Sequence, residues 1–479
     1  MKKKLLKSVL ATMAGVSIVG MGTGTFAFTT SFNGEMANGI LGTTNYNTLQ
    51  GTIQSKDTDY FSYGGKNKSI TDLKSLEVFN NGGSGDVMGL TRTRLGFVGT
   101  TDDGLAKFVY TMEVGTSTWG DSTATTGRNA SFGLSGDGVN VETRFAYTDL
   151  AIPGLGKDHR IVAGLQPINV NPWLWKETAA GLTYNGKMDV NSWTVGWVKG
   201  RTGPDPFKDT TDDDYFLARF DSEIMKGLTA GVFGVYSDQG HKSPYVGADL
   251  YNGKIYYLGL TGNADLGQFF VNGDFIYQGG SINFIQSGIR DLSREAWLLH
   301  LDAGMKPMDN LKVWLSGLYV TGDDNAGDGK AKNFDIIDSD IEAGMIFFKE
   351  GFFAIYNDKF LSDAPYILDK GLQTIALYGE YKADEQNTIK GSIRYLKLDK
   401  DYQRGWDPVT QKYKYTDDKL GTELDVWYNY AYNKNIDLKF EAAYLFAGKA
   451  ADYMVPAAQL GKHGADDIFQ TGAGILFKF

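Results

Sequence analysis

The sequence predicts an all-β fold, a single transmembrane antiparallel β-barrel of eighteen strands within a range of 16–20. Three observations predict it. No run after the N-terminus reaches the ~18 apolar residues of a helical span. Aromatic residues nevertheless make up 13%, with 27 Tyr and 28 Phe, and Gly is 61 against 10 Pro. Segments alternating apolar and polar with period two recur along the whole length, separated in turn by short turns and long polar loops. The stretch 469–479 is one of them: Phe469, Thr471, Ala473, Ile475, Phe477 and Phe479 on one face, Gln470, Gly472, Gly474, Leu476 and Lys478 on the other. Its length suits a tilted strand crossing a bilayer, about 9–11 residues, and we expect it to close the barrel against the first strand.

The N-terminus reads as a cleaved signal peptide over 1–27, with the barrel domain over 28–479. Lys2, Lys3, Lys4 and Lys7 form a charged region, 9–21 is an apolar run, and Thr25-Phe26-Ala27 offers a small-x-small cleavage site. The absence of Cys excludes lipid anchoring, a disulfide framework and covalent haem attachment. Loss of the four signal lysines takes the formal charge from −10 to −14, a balance that argues against nucleic-acid binding. No linker or shift in composition divides the remainder, so one large domain is expected.

In order, 28–41 is a first strand, and a long polar stretch runs to about residue 85, with a helical turn within 70–79. The clearest hairpin pairs 89–99 with 105–113 across Thr101-Asp-Asp-Gly104. Leu95, Phe97, Phe108, Tyr110 and Met112 share one face, and Arg92, Arg94, Lys107, Thr111 and Glu113 the other. Short turns follow at 185–188, 225–227, 264–267, 306–310, 383–386 and 433–435. Long loops fall near 200–212, 238–253, 279–293, 321–333, 361–370, 400–419 and 449–467. The count is eighteen, or twenty if 341–348 and 352–358 form one more hairpin.

The segments Arg94-Leu-Gly-Phe97, Gly104-Leu-Ala-Lys-Phe108 and Met112-Glu113, continued by 144–150 and 160–166, resemble strands of Gram-negative general-diffusion porins. A terminal Phe on a closing strand is similar to the signature by which the outer-membrane assembly machinery recognises such barrels. More weakly, 420–425, 432–435 and 440–444 resemble the closing strands of alginate-export barrels. The first resemblance implies an outer-membrane porin, a water-filled channel for passive diffusion of small hydrophilic solutes or ions, with membrane lipid as its surroundings and homotrimers usual in the family. The second implies a monomer and a channel for acidic saccharides. A third reading is a barrel sheath around a redox or export partner, as in porin–cytochrome conduits. In the porins a long loop narrows the bore. Here the equivalent 168–178 is short, which directs attention to 116–141 or 41–85 as the plug.

Period-two parity gives the lumen face. Arg92, Arg94, Arg144, Arg160, Arg219 and Arg394 point inward, with Phe145, Ile161, Phe216, Phe220, Ile393 and Tyr395 outward. A charge on the lipid face costs about 2–4 kcal/mol at the midplane, so the lumen is where these arginines belong. Inward acids are Glu113, Asp221, Asp302, Glu380, Glu423, Asp425 and Glu441, so basic strands precede acidic ones and would set a transverse field; local ion pairing is the competing expectation. The four histidines, at 159, 241, 300 and 463, have no ligand-like spacing, and His300 is expected inward as a lumen residue. The acidic stretch 321–329 lacks the offsets of a calcium loop and reads as solvated. Gly133-Leu-Ser-Gly136 lacks nucleophile-elbow spacing. Neither catalysis, metal nor cofactor is expected.

Overall fold

Alternating side chains force each segment into an extended strand whose two faces meet different surroundings. The structure, a computed structural model, describes residues 28–44, 86–120, 141–201, 213–242, 249–284, 291–325, 328–348, 350–352, 370–407, 409–454 and 467–479. The expected signal peptide and the helical turn within 70–79 lie outside these residues.

The wall begins with β1 (Phe28–Thr44), β2 (Asp86–Thr101), β3 (Ala106–Thr118), β4 (Val141–Ala151), β5 (His159–Asn171) and β6 (Trp175–Met188). It continues through β7 (Asn191–Arg201), β8 (Asp213–Met225), β9 (Leu228–Lys242), β10 (Asp249–Asp265), β11 (Phe269–Phe284), β12 (Leu292–Met308) and β13 (Leu311–Val320). Two-residue strands β14 (Lys330–Ala331) and β15 (Asp338–Ser339) belong to the connection that follows, pairing parallel to β12 and β6. The wall resumes with β16 (Leu372–Lys382), β17 (Asn387–Asp407), β18 (Lys412–Asn433), β19 (Ile436–Ala447) and β20 (Ile468–Lys478), with the short helix α1 (Lys449–Met454) between the last two. Without β14 and β15 the wall has eighteen strands, each antiparallel to its neighbours. β13 pairs with β16, and β20 pairs with β1 from Glu35↔Lys478 to Thr44↔Phe469, so the sheet has no edge.

The twenty-strand alternative is not what forms. Ile341, Met345, Ile346, Phe347 and Phe348 are buried inside the barrel. The run is apolar on both parities, so as a wall strand it would turn one apolar face onto a wet lumen. The expected loop at 400–419 is also mostly strand: β17 and β18 have 21 and 22 residues and pair as far as Asp407↔Lys412, well past the ~9–11 of a span.

Outward residues make an apolar belt. Phe216, Phe220, Leu258, Leu260, Leu299, Leu301, Leu377 and Ile393 are all 43–57% exposed. An apolar surface this extensive is untenable in water and matches hydrocarbon. Phe469, Ile475, Phe477 and Phe479 of the closing strand join it. Near the seam Phe32, Phe97 and Phe479 cluster with ring centroids 5.1 and 5.6 Å apart. Gly34 exchanges backbone hydrogen bonds of 2.9 and 3.0 Å with Phe479, and a Cβ there would sit 2.7 Å from the Phe479 ring. At the β2–β3 turn, the Thr101 hydroxyl and the Leu105 amide donate to Asp103 and hold its carboxyl below the usual range.

Parity fails at one expected position. Opposite β3 the register steps from Thr111↔Phe145 to Met112↔Thr143, leaving Arg144 as the extra residue of a β-bulge. Arg144 stays inward, but Phe145, Tyr147 and Asp149 turn inward with it, opposite Thr111, Val109 and Lys107.

Leu377 stands mid-strand in β16 and faces outward. Leu377→Arg is expected to cost about 2–4 kcal/mol in lipid, read as a lower urea midpoint for the lipid-embedded barrel; an unchanged midpoint would place the belt elsewhere.

Candidate functional site in the barrel lumen

The lumen is crossed by the chain itself. After β13 the connection turns back along β12: Arg294 donates to the Asn333 carbonyl at 2.9 Å and pairs with Asp335, whose amide donates to Gln278 Oε1 at 3.0 Å. The Ile337 amide donates to the Leu174 carbonyl at 3.0 Å, β15 lies beside Trp175 and Lys176, and the Ser339 hydroxyl donates to the Pro172 carbonyl at 2.6 Å. The segment then reaches the opposite side of the ring. Tyr378 donates to the Ala343 carbonyl at 2.9 Å, and Glu423 accepts the amides of Ile346 and Phe347 at 2.7 and 3.3 Å. Glu350 pairs with Lys390, and Glu441 accepts the Phe352 amide at 2.5 Å. These carboxylates take backbone N–H groups that would otherwise be buried without partners.

Sequence reading sought the plug at 116–141 or 41–85, which lie largely outside the described residues; the crossing at 328–352 went unrecognised. Its signal was the doubly apolar run 341–348. The acidic stretch at its start is not wholly solvated: Asp323 is 3% exposed and accepts the amides of Asn325 and Lys332.

The short β5–β6 connection contributes a second bridge. It reaches far inward. Trp173, Leu174 and Trp175 are buried, Asn171 donates to Asp274 on β11 at 2.7 Å, and the Trp173 ring lies 4.4 Å from that of His300 on β12. His300 is held between Asp274 at 3.0 Å and Asp302 at 3.1 Å, an inward residue as expected. Among the described residues no group of His, Cys, Asp and Glu is arranged to hold a metal ion.

The two sides of the lumen differ. On β1–β6 the arginines expected inward form a chain of ion pairs. Arg92 contacts Glu35 at 3.2 Å, Arg94 contacts Glu35 and Glu113 at 3.4 and 2.6 Å, and Arg144 contacts Glu113 and Glu177 at 3.8 and 3.2 Å. Arg160 pairs with Asp149 at 2.5 Å. These four arginines keep 14–30% of their side-chain surface open. On β16–β19 the reverse holds: Arg394, Glu423 and Asp425 are 1%, 0% and 2% exposed beneath the crossing segment. Arg394 donates to Thr374 at 2.7 Å and to Tyr378, and Asp425 accepts from Ser392 at 2.8 Å. Sequence parity found this cluster but not its seal. Arg219 grips Asp221 with two bonds of 2.7 Å and donates to the Val170 carbonyl beneath the β5–β6 bridge.

The expected division into basic and acidic strands is replaced on the wet wall by balance. Arg92, Arg94, Arg144 and Arg160 face Glu35, Glu113, Asp149 and Glu177, so local pairing takes up the arginine charge. Glu35 and Glu177 escaped the sequence reading although parity carries them: Glu35 shares its face with Ala37 and Leu41, Glu177 with Thr183 and Asn185.

Among solved structures the chain is similar to Pseudomonas aeruginosa OccK8 (OprE), with 11% identity over 94% of this chain and 98% of that one and a TM-score of 0.50. It is similar to Acinetobacter baumannii OccAB1, with 11% identity over 94% and 97% and a TM-score of 0.51. The outer membrane protein opdK from Pseudomonas aeruginosa gives 9% identity over 94% and 98% and a TM-score of 0.51. At these identities the likeness establishes the fold. No family model and no curated protein matches the chain.

Gly351 has φ +110, and a Cβ there would stand 2.8 Å from both Glu441 oxygens. Gly351→Ala is therefore expected to unseat the crossing segment, at about 1–3 kcal/mol for the strained backbone alone. New protease cleavage within 337–352, with the heat-modifiable gel mobility of the barrel retained, is the expected readout; an unchanged digest would mean the seat tolerates it.

Proposed function

We propose that the protein is an outer-membrane porin, a water-filled channel through which small hydrophilic solutes or ions diffuse passively. The observation that carries this reading is a closed wall, apolar outside, whose interior keeps a solvated ion-pair chain along β1–β6 while the opposite side is sealed. Barrels of about 16–18 strands leave an aqueous bore unless something fills them. Here 328–352 fills one side and directs the path along Arg92, Arg94, Arg144 and Arg160. The similar outer membrane protein opdK supports an outer-membrane address, and the 1–27 segment supplies the export signal such an address requires. Lipid around the belt and the outer-membrane assembly machinery are partners that go with this reading, and a homotrimer is compatible with it.

Neither rival is favoured. The lumen holds this chain's own segment where a sheath would hold its partner, and among the described residues the arginines of β1–β6 are matched by acids, with no surplus positive charge for acidic saccharides.

Removing one arginine breaks the balance. One uncompensated charge about 5 Å from a passing ion is worth about 0.8 kcal/mol in water, roughly a fourfold change in local ion ratio before screening. Arg94→Ala is expected to move the zero-current potential in a salt gradient toward cation preference by up to that factor. A potential identical to wild type would take the arginines off the ion path.

A further inference from the structure

Beneath the β5–β6 bridge, on the short-turn side of the barrel, the inner faces of β4–β8 line a half-open pocket of about 230 Å³. At ~30 Å³ per water it has room for roughly eight waters, or one solute of monosaccharide size. The charges at its edge are already paired. Both Asp221 oxygens and the Val170 carbonyl occupy the Arg219 guanidinium, and Arg160 occupies Asp149. An ionic solute would have to share a partner with these pairs.

The remaining polar groups are neutral and linked. Thr183 donates to Gln166 Oε1 at 2.9 Å, Asn185 donates to Thr183 at 3.1 Å, and Thr194 donates to Asn185 Oδ1 at 2.8 Å. Gln166 is fixed by two further bonds to the Val162 and Gly181 carbonyls. One amide hydrogen of Asn185 and lone pairs on Asn185 and Thr194 are left over. The bulge at Arg144 turns Tyr147 onto the same pocket, and its hydroxyl has no hydrogen-bond partner among the described residues. Leu217 and the tyrosine ring supply apolar surface beside these donors and acceptors. Apolar faces with a few placed, uncharged hydrogen-bonding groups suit a ring that carries hydroxyls at its edge and C–H bonds on its faces.

We propose that this pocket is a subsite for a neutral polyhydroxylated solute of monosaccharide size, met on the way through the barrel. The assignment deepens the porin reading and rests on it. It also sets the solute class apart from acidic saccharides.

The test is calorimetric titration of the folded, detergent-solubilised protein with glucose and with glucuronate, alongside bilayer conductance of the same preparation. Saturable glucose binding is expected, with glucuronate weaker. Tyr147→Phe and Thr194→Val should each weaken glucose binding about three- to tenfold, the worth of one hydrogen bond. Tyr147→Phe removes no internal bond, so its fold is expected to stand and gel mobility checks it. Conductance without saturable glucose binding, glucuronate binding as tightly as glucose, or unaltered binding in both variants would overturn the subsite. Binding without conductance would overturn the channel instead, and neither would overturn both.

Discussion

A strand surrounded by hydrocarbon has no water to satisfy its backbone, so every N–H and C=O of the wall must find a partner in the next strand. The pairing of β20 with β1 meets that demand for the last two edges, and the remaining architecture follows from it. Closure fixes register, register fixes which parity faces inward, and parity decides where each arginine lies. Gly34 matters in this light because it admits the Phe479 ring at the seam.

Closure also makes an interior with two incompatible uses. A wall of eighteen strands encloses more space than its own side chains fill. The chain fills part of it with 328–352 and with the Trp173 bridge, and both are tied by buried carboxylates, hydroxyls or amides to opposite sides of the ring. Apolar residues in the crossing segment make the sealed side behave as a protein core. The opposite side keeps paired charges in contact with water, where each pair contributes little to stability and shapes the local field. The lumen thus has a sealed half and a half lined by partly open ion pairs.

Much of this was legible in the sequence because period-two alternation is a local property. Strand order, the short turns and the inward parity of Arg92, Arg94, Arg160, Arg219 and Arg394 follow from it directly. Two kinds of information were not local. Arg144 was placed correctly while Phe145 was not, because one extra residue in a bulge reverses parity without a distinctive residue to mark it. The run 341–348 entered only as half of an optional further hairpin, because its length and apolar content suit a strand; only the buried carboxylates of Glu423 and Glu441, far away in sequence, show where the amides of the crossing segment go. Local ion pairing stood only as the competing expectation, and its partners Glu35 and Glu177 went unnamed because each arginine meets its acid on another strand.

The claim that one side of the lumen is wet and the other sealed is tested most directly by thiol accessibility, which the absence of native Cys makes clean. Channels carrying Arg94→Cys or Ser392→Cys would be held in a planar bilayer while a membrane-impermeant, charged thiol reagent is added. The account predicts an irreversible stepwise change of current with cysteine at 94 and none with cysteine at 392. Modification at 392 with silence at 94, or no current from either folded barrel, would contradict it.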